Sequence, residues 1–245
     1  RGLGDVYKRQ LVDITNFVLF ELGQPLHAFD AAKIEGREVV VRTCAEGTPF
    51  VTLDGVERKL TADDLMICSA ERPMCIAGVF GGLDSGISDT TTDVFIESAY
   101  FNPVWVRKTA KRFGLNTDSS FRFERGVDPN MQVYAAKRAA LLMKELAGGE
   151  ISSDITDIYP APIEDFRFDV SFARIDALIG KHIPEETVRA ILAALEVKVL
   201  DEKDGVLSVA VPPYRVDVQR EADLIEDILR IYGYNNCLLY TSPSP

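Results

Sequence analysis

The stretch from residue 13 to residue 30, DITNFVLFELGQPLHAFD, constrains the fold more than any other part of the sequence. Its apolar run ends at Gly23, and Pro25 then fixes its own φ angle and biases Gln24 towards extended backbone. The chain therefore turns in a defined direction just before His27, one of two histidines in the sequence. Because imidazole changes charge near neutral pH, His27 is a candidate functional residue. The alternative is a half-buried histidine that bonds a backbone carbonyl, since no metal-type partner lies at a useful spacing.

Composition limits the class of protein. The 245 residues allow one large domain or two smaller ones, and a net charge of −11 argues against a general nucleic-acid binder. No apolar run approaches the roughly 20 residues of a membrane helix, and no signal-peptide pattern opens the sequence. The cysteines lack any CxxC pair, which is typical of reduced thiols in the cytoplasm: Cys44, Cys68, Cys75 and Cys237.

The sequence alternates short predicted strands with helices. Strands are predicted at 37–43, 65–68, 94–101, 151–159 and 167–172, and hairpins at 50–60 and 196–211. Helices are predicted at 102–113, 130–146, 173–179, 184–195 and 220–232. The segment NTDSSFRFERG at 116–126 is predicted to be a loop, and Pro160-Ala161-Pro162 a linker between two domains.

Two further features could bind a ligand. Three glycines interrupt the apolar run AGVFGG at 77–82, where the backbone either approaches a ligand closely or simply turns. Glu97 lies inside the hydrophobic strand VFIESAYF, on the same face as Phe95 and Ala99. That face is either exposed to solvent or offers a carboxylate to a ligand hydroxyl.

A local reversal of charge follows this strand. Six basic side chains and two acidic ones lie between Trp105 and Gly126, a local charge of +4 on an acidic protein. A solvated helix face is one explanation, and a surface that contacts phosphates is the other.

An acidic face is predicted on the last helix. Asp223, Glu226 and Asp227 are spaced at i, i+3 and i+4, and Asp217 lies just upstream. Oxygen ligands of this kind suit Mg²⁺, whereas the alternative is an acidic face in contact with solvent.

Several of these motifs, taken together and in order, resemble the bacterial phenylalanyl-tRNA synthetase β-subunit family. The matching segments are the opening stretch, TLDGVERKL at 52–60, AGVFGG, the block from VFIESAYFNP to SSFRFERGVDP, and PPYRVDV with EADLIEDILRIYGYNN. They cover nearly everything from residue 11 to residue 236. The resemblance implies an α+β fold with mixed or antiparallel sheets and packed helices: a tRNA editing module at 11–160, then a small winged-helix-like, subunit-docking module at 161–236.

The two ends do not continue the family pattern. RGLGDVYKRQ at 1–10 and CLLYTSPSP at 237–245 resemble translated sequencing-adaptor read-through, so both are predicted to be non-native and are excluded from the fold prediction.

The resemblance also implies roles for individual residues. Glu97 is expected to help read a tyrosine hydroxyl, and His27 to lie near the ester-bearing end of the substrate, where it orients the terminal adenosine or water or acts as a general base. The other residues expected at the catalytic site or in the substrate slot are Thr15, Asn16, Pro25, Gly78, Gly81, Thr117 and Ser119. Ser119 departs from the family, in which alanine is more usual. No arrangement suggests a covalent nucleophile.

The implied partners are an α subunit and tRNA(Phe). Phosphate contacts are expected from Arg107, Lys108, Lys111 and Arg112. Mg²⁺ shared with the α subunit is expected at Asp217, Asp223, Glu226 and Asp227, and ATP binding only through that subunit, because no ATP motif occurs in the sequence.

The favoured hypothesis is hydrolytic editing of Tyr-tRNA(Phe) by a module that also supports aminoacylation. A phenylalanine site rejects an added hydroxyl only by roughly 10²-fold, so a second site that tests for the hydroxyl is the physical remedy. One alternative is a non-catalytic tRNA-binding or assembly scaffold. Another is a free-standing deacylase, which the acidic face of the second module disfavours.

Overall fold

The structure is a computed structural model that describes residues 3–236, with side chains described from residue 10 onward. The chain divides into two compact units, the first ending at Ile158 and the second beginning at Tyr159. No helix among the described residues is long and apolar enough to cross a membrane.

From residue 3 onward, unit 1 contains four α-helices and eight strands. The helices are α1 (Leu3–Leu22), α2 (Pro103–Phe113), α3 (Asp118–Phe123) and α4 (Gln132–Ala147). The strands are β1 (Leu26–Asp30), β2 (Val40–Thr43), β3 (Pro49–Val51), β4 (Glu57–Lys59), β5 (Leu65–Cys68), β6 (Pro73–Ile76), β7 (Phe80–Gly81) and β8 (Val94–Ser98). They form an antiparallel pair β1–β8, an antiparallel sheet in the order β2–β5–β6–β7 and a hairpin β3–β4.

The β1–β8 pair buries one of its faces against helices. Ile14 and Val18 of α1 pack with Leu26 of β1 and with Ala135 and Ala139 of α4. Because side chains alternate along a strand, this contact leaves the faces that carry His27 and Glu97 on the other side of the pair.

A separate core joins the four-stranded sheet to α2 and α3. Met66 and Ile76 of the sheet are fully buried and belong to one cluster with Phe101, Val106 and Phe123. This core holds the glycine-rich turn between β6 and β7 in place beside the β1–β8 pair.

In the described part of unit 2, up to residue 236, there are three strands and three α-helices. They are β9 (Phe166–Ser171), α5 (Phe172–Ile179), α6 (Glu185–Ala194), β10 (Lys198–Lys203), β11 (Val206–Val211) and α7 (Glu221–Tyr232). The antiparallel sheet has the order β10–β11–β9. Its core includes Ile175, Leu192, Leu207 and Leu224. The predicted α+β class with antiparallel sheets is confirmed.

Helix α1 begins at Leu3 and so includes residues 3–10; that these residues are non-native stays a prediction. Two sequence predictions about local structure are wrong. The segment predicted as a loop contains α3, because Thr117 and Ser120 form a reciprocal capping box. Residues 151–159 form no strand, and Ile158 is 81% exposed, because no strand edge pairs with them. The predicted non-native end at 237–245 lies outside the described residues.

Candidate active site

His27 and Glu97 lie directly opposite each other in the antiparallel β1–β8 pair. Cross-strand neighbours of this kind have Cβ atoms about 4.5–5.5 Å apart and point to the same face. Phe29 and Phe95, also opposite each other, share that face, and the Phe29 ring meets the His27 ring edge-on at a centroid distance of 4.5 Å. The local sequence thus places an imidazole and a carboxyl side by side on an aromatic surface.

One atom of each of these side chains is buried without a hydrogen-bond partner. Within the part of the chain that the structure describes, Nε2 of His27 and Oε1 of Glu97 both lack a partner. Most buried polar atoms in proteins are hydrogen-bonded, and an exception calls for an explanation such as a ligand or an ordered water. The two atoms therefore leave hydrogen-bonding capacity on this face for a polar ligand or a water molecule.

Burial also sets the charge of the pair. Loss of solvent lowers the pKa of His27 to about 4 and raises the pKa of Glu97 to about 8. At neutral pH the imidazole is therefore uncharged, and most of the Glu97 carboxyl is protonated. Two uncharged groups can each exchange hydrogen bonds with a neutral hydroxyl or a water molecule.

Gly81 closes one side of the site. A methyl group added at Gly81 would lie 3.0 Å from Cε1 of His27 and 2.9 Å from Cδ1 of Leu53. Cys75 is the strand partner of Gly81, and burial, together with the nearby Glu97, raises the pKa of its thiol well above the usual value. The backbone at Gly81 closely approaches the His27 ring, and its predicted approach to a ligand stays a prediction.

Gly78 and Thr117 hold the turn between β6 and β7 in place. Gly78 has a φ of +68°, and a methyl group there would lie 2.9 Å from the Phe123 ring and 3.0 Å from the Phe101 ring. The Thr117 hydroxyl caps α3 and donates a hydrogen bond to the carbonyl oxygen of Val79 at 2.9 Å. Both residues therefore hold the turn against α3, and Ser119 is half-buried on that helix.

The other predicted residues lie on the segment that leads into β1. Thr15 is buried on α1, and its hydroxyl donates to the carbonyl oxygen of Val12 at 2.7 Å. Asn16 is exposed on the same helix, and Pro25 is buried at the bend before His27.

Gln24 was missed by the sequence reasoning. Its side chain is buried, and its amide nitrogen donates to the carbonyl oxygens of Pro25 and Ala99 at 3.0 and 2.8 Å. Gln132 of α4 donates to its amide oxygen at 3.2 Å. Gln24 thus fixes the bend before His27 to the segment that follows Glu97. A polar residue between glycine and proline was the available signal, but its partners lie 75 and 108 positions away.

The basic residues of α2 divide into two groups. Arg107, Lys108 and Lys111 are exposed. Arg112 instead forms an ion pair with Asp64, a buried carboxylate that also accepts a hydrogen bond from Thr109 at 2.8 Å. Arg112 therefore anchors α2 to the loop before β5, although its own side chain is still 36% exposed.

The acidic side chains of α7 are held by arginines. Asp227 is 7% exposed and pairs with Arg215 at 2.6 Å. Glu226 pairs with Arg230 at 3.0 Å. Hydrogen bonds from Arg220 hold the pKa of Asp223 below its usual value.

Because arginines already bond these carboxylates, the α7 face is not arranged as a metal site in this structure. Asp217 is exposed upstream of the helix. Among the described residues, no group of three or more His, Cys, Asp or Glu side chains is arranged to hold a metal ion.

Sequence comparison defines the class of protein to which this arrangement belongs. The model of the B3/4 domain family matches residues 4–148, which include the whole His27–Glu97 site. The chain therefore belongs to the B3/4 domain family. The model of the tRNA synthetase B5 domain matches residues 168–234, within unit 2.

The particular relatives are phenylalanine–tRNA ligase β subunits. The chain is 64% identical over 226 residues to the β subunit of Bacteroides fragilis, with 92% of this chain and 28% of that protein covered. The identity is 59% to the β subunit of Porphyromonas gingivalis and 46% to that of Geobacter sulfurreducens. In both comparisons 92% of this chain and 28% of the relative are covered. The resemblance stated from the motifs is confirmed, and the chain spans about a quarter of the length of these relatives.

A solved N-terminal fragment of the phenylalanyl-tRNA synthetase β subunit from Pyrococcus horikoshii is also similar. The match covers 92% of this chain and 66% of the Pyrococcus horikoshii chain, with a TM-score of 0.43 and 15% sequence identity. At that level the similarity carries no argument about function.

Proposed function

We propose that unit 1 hydrolyses mischarged Tyr-tRNA(Phe) and spares Phe-tRNA(Phe). The observation that carries this proposal is the pair of buried, unpartnered atoms on opposed strands, Nε2 of His27 and Oε1 of Glu97. Each atom can form a hydrogen bond with a ligand on the face that also carries Phe29 and Phe95. Names of the relatives provide the substrate class, since they are phenylalanine–tRNA ligase subunits.

The chemistry of the face suits a test for one hydroxyl. Phe95, which is 38% exposed, offers apolar surface to an aromatic ring, and Glu97 offers a hydrogen bond that a phenylalanyl ring cannot use. A site built to bond a hydroxyl rejects the analogue that lacks it by up to 10⁴–10⁵-fold, because its buried polar groups are then left unpaired. The tyrosyl ester would therefore bind in preference to the phenylalanyl ester, which lacks the hydroxyl.

Hydrolysis in this proposal proceeds by direct attack of water on the aminoacyl ester. The neutral imidazole of His27 provides a hydrogen-bonding nitrogen at neutral pH, either to orient water or adenosine or to accept a proton. Cys75 is unsuited to act as a nucleophile, because burial raises its pKa and keeps the thiol protonated.

A deacylation assay tests the proposal. The chain should release tyrosine from Tyr-tRNA(Phe) faster than phenylalanine from Phe-tRNA(Phe), and His27→Ala should lower the rate for tyrosine. The matched control is His182→Ala, since His182 is the other histidine and its side chain is 75% exposed in unit 2. Release at the uncatalysed rate by the wild type would favour a non-catalytic tRNA-binding scaffold.

Transfer RNA binding is proposed for the exposed cations of α2, Arg107, Lys108 and Lys111. Their position on one helix of an otherwise acidic chain supports electrostatic contact with phosphates. Arg112 is left out of this set because Asp64 engages it.

The remaining functions belong to the proposed complex. We expect unit 2 to contact an α subunit, which would supply the ATP site, and a cytoplasmic location stays a prediction. Mg²⁺ binding through Asp217, Asp223, Glu226 and Asp227 would require the ion pairs with Arg215, Arg220 and Arg230 to open first.

A further inference from the structure

Ion pairing divides the basic side chains between residues 105 and 126 into two groups. Three of them bond carboxylates of unit 1: Arg112, Arg122 and Arg125. The other three are exposed on α2, and within residues 10–236 they form no ion pair: Arg107, Lys108 and Lys111. Their charge is therefore free to attract a polyanion, although the whole chain carries a net charge of −11.

The only tryptophan of the sequence lies beside these free cations. Trp105 is 40% exposed in the first turn of α2, whereas a tryptophan ring is on average well covered in a folded protein. Among the described residues, no aromatic ring or arginine is stacked on it. The preceding residue, Val104, is 58% exposed. The start of α2 thus presents apolar and aromatic surface to solvent.

Trp105 and the two lysines form one row along α2. Trp105 and Lys108 are three positions apart, as are Lys108 and Lys111, and residues at this spacing are neighbours on a helix surface. With a rise of 1.5 Å per residue, Lys111 lies about 9 Å from Trp105 along the helix axis. That distance corresponds to about two to three nucleotides of a stacked strand, at about 3.4 Å for each nucleotide.

The start of α2 lies beside the turn that reaches the His27 ring. A methyl group added at Gly78 would lie 3.2 Å from Cγ2 of Val106 on α2, and the same turn brings the Gly81 backbone against His27. Only residues 99–102 separate α2 from β8, which carries Glu97. A strand bound along α2 would therefore lie next to the proposed editing site.

We infer that α2 binds the single-stranded 3′ end of a tRNA, with an unpaired base stacked on Trp105 and the adjoining phosphates on Lys108 and Lys111. A base within a duplex is covered on both faces by its neighbours, so only an unpaired base offers a face to the indole ring. An aromatic platform next to cations that follow the backbone is the usual basis of single-strand binding. This inference rests on the proposed function and specifies which part of the RNA α2 contacts.

Fluorescence of Trp105 reports on this contact directly, because the sequence has no other tryptophan. Titration of the chain with a short single-stranded RNA that ends in CCA should quench the emission until the site is saturated. The same RNA annealed along its whole length to its complement should quench much less. Inorganic tripolyphosphate, which supplies charge without bases, should not quench. Equal quenching by single strand and duplex, or no quenching by the single strand, would overturn the inference.

Substitutions separate stacking from charge. Trp105→Ala should weaken binding of a fluorescently labelled single-stranded RNA by about 5- to 150-fold, while the slope of log K against log salt stays unchanged. Trp105→Phe should restore part of the loss, because it keeps a ring face. Tyr134→Ala, which removes a 60% exposed aromatic side chain from α4, is the matched control and should bind like wild type. A folded Trp105→Ala chain that binds as tightly as wild type would contradict the assignment.

These measurements need no hydrolysis, so they are independent of the editing assay. Quenching by single-stranded RNA together with deacylation at the uncatalysed rate would overturn the editing function alone. A salt slope that falls in Lys108→Ala and Lys111→Ala, without quenching of Trp105, would keep the phosphate contact of α2 but overturn the single-strand assignment. A change in Trp105 emission caused only by an added α subunit would place the residue at a protein interface and overturn the inference as well.

Discussion

The carboxyl groups of the His27–Glu97 face in unit 1 and of the acidic face of α7 in unit 2 differ in whether they have a bonding partner. Glu97 has a buried oxygen without a partner, and burial raises its pKa to about 8. Asp227 is 7% exposed, and its carboxylate bonds Arg215 at 2.6 Å. A buried carboxyl that is already paired stabilises the fold, whereas one that is left unpaired retains its capacity for a ligand. Burial alone therefore does not identify a functional site.

The largest expected effect concerns stability and separates the two faces. Asp227→Ala should lower the free energy of unfolding by about 3–5 kcal/mol, because Arg215 would keep a partly buried charge without its partner. Glu97→Gln should cause no loss of stability at neutral pH, because the native carboxyl is mostly uncharged and unpaired there. Urea denaturation of both variants measures the difference. Equal loss in both would remove the distinction between the faces.

The second effect concerns the packing of the site. Gly81→Ala adds a methyl group 3.0 Å from the His27 ring, and overpacking of this kind costs about 1–3 kcal/mol. If the strain is relieved by moving His27, hydrolysis of Tyr-tRNA(Phe) should fall by roughly 5- to 150-fold over the same range. Gly149→Ala is the matched control, since nothing lies within 4 Å of the added methyl group. An active Gly81→Ala variant would show that the contact does not position His27.

A smaller effect is expected at the basic helix. Reversing Lys108 and Lys111 to Glu should weaken tRNA binding and reduce the slope of log K against log salt by about one for each lysine. The double change Lys137→Glu and Lys144→Glu on α4 alters the net charge equally and serves as the control. An unchanged slope would mean that α2 is only a solvated face. Arg112 is a poor choice for this test, because its loss would also free the buried Asp64.

The smallest effect is expected for Mg²⁺ at α7. Calorimetric titration of the chain alone should show weak binding, because arginines already occupy the carboxylates. An α subunit that displaced those arginines would tighten Mg²⁺ binding, and linkage requires Mg²⁺ to strengthen the association by the same factor. Equal Mg²⁺ affinity with and without the α subunit would assign these carboxylates to fold stability only.

Sequence reasoning reached the elements and the candidate residues but not their partners. Glu97 stood out because it is acidic within a hydrophobic strand, yet only the strand register shows that it faces His27. The pairings of Arg112 with Asp64 and of Arg215 with Asp227 depend on tertiary contacts that no local periodicity encodes. Local signals failed at α3 for a related reason, since the Thr117–Ser120 capping box lies in a segment rich in turn-forming residues.

The rate of Tyr-tRNA(Phe) deacylation by Glu97→Ala, compared with wild type and with the exposed control Glu145→Ala, tests the central claim most directly. Loss of the hydrogen bond between Glu97 and the tyrosine hydroxyl should slow hydrolysis by about 10- to 150-fold, equivalent to roughly 1.5–3 kcal/mol, while the fold stays intact. The control should react at the wild-type rate. If Glu97→Ala deacylates Tyr-tRNA(Phe) as fast as wild type, the His27–Glu97 face is not the editing site.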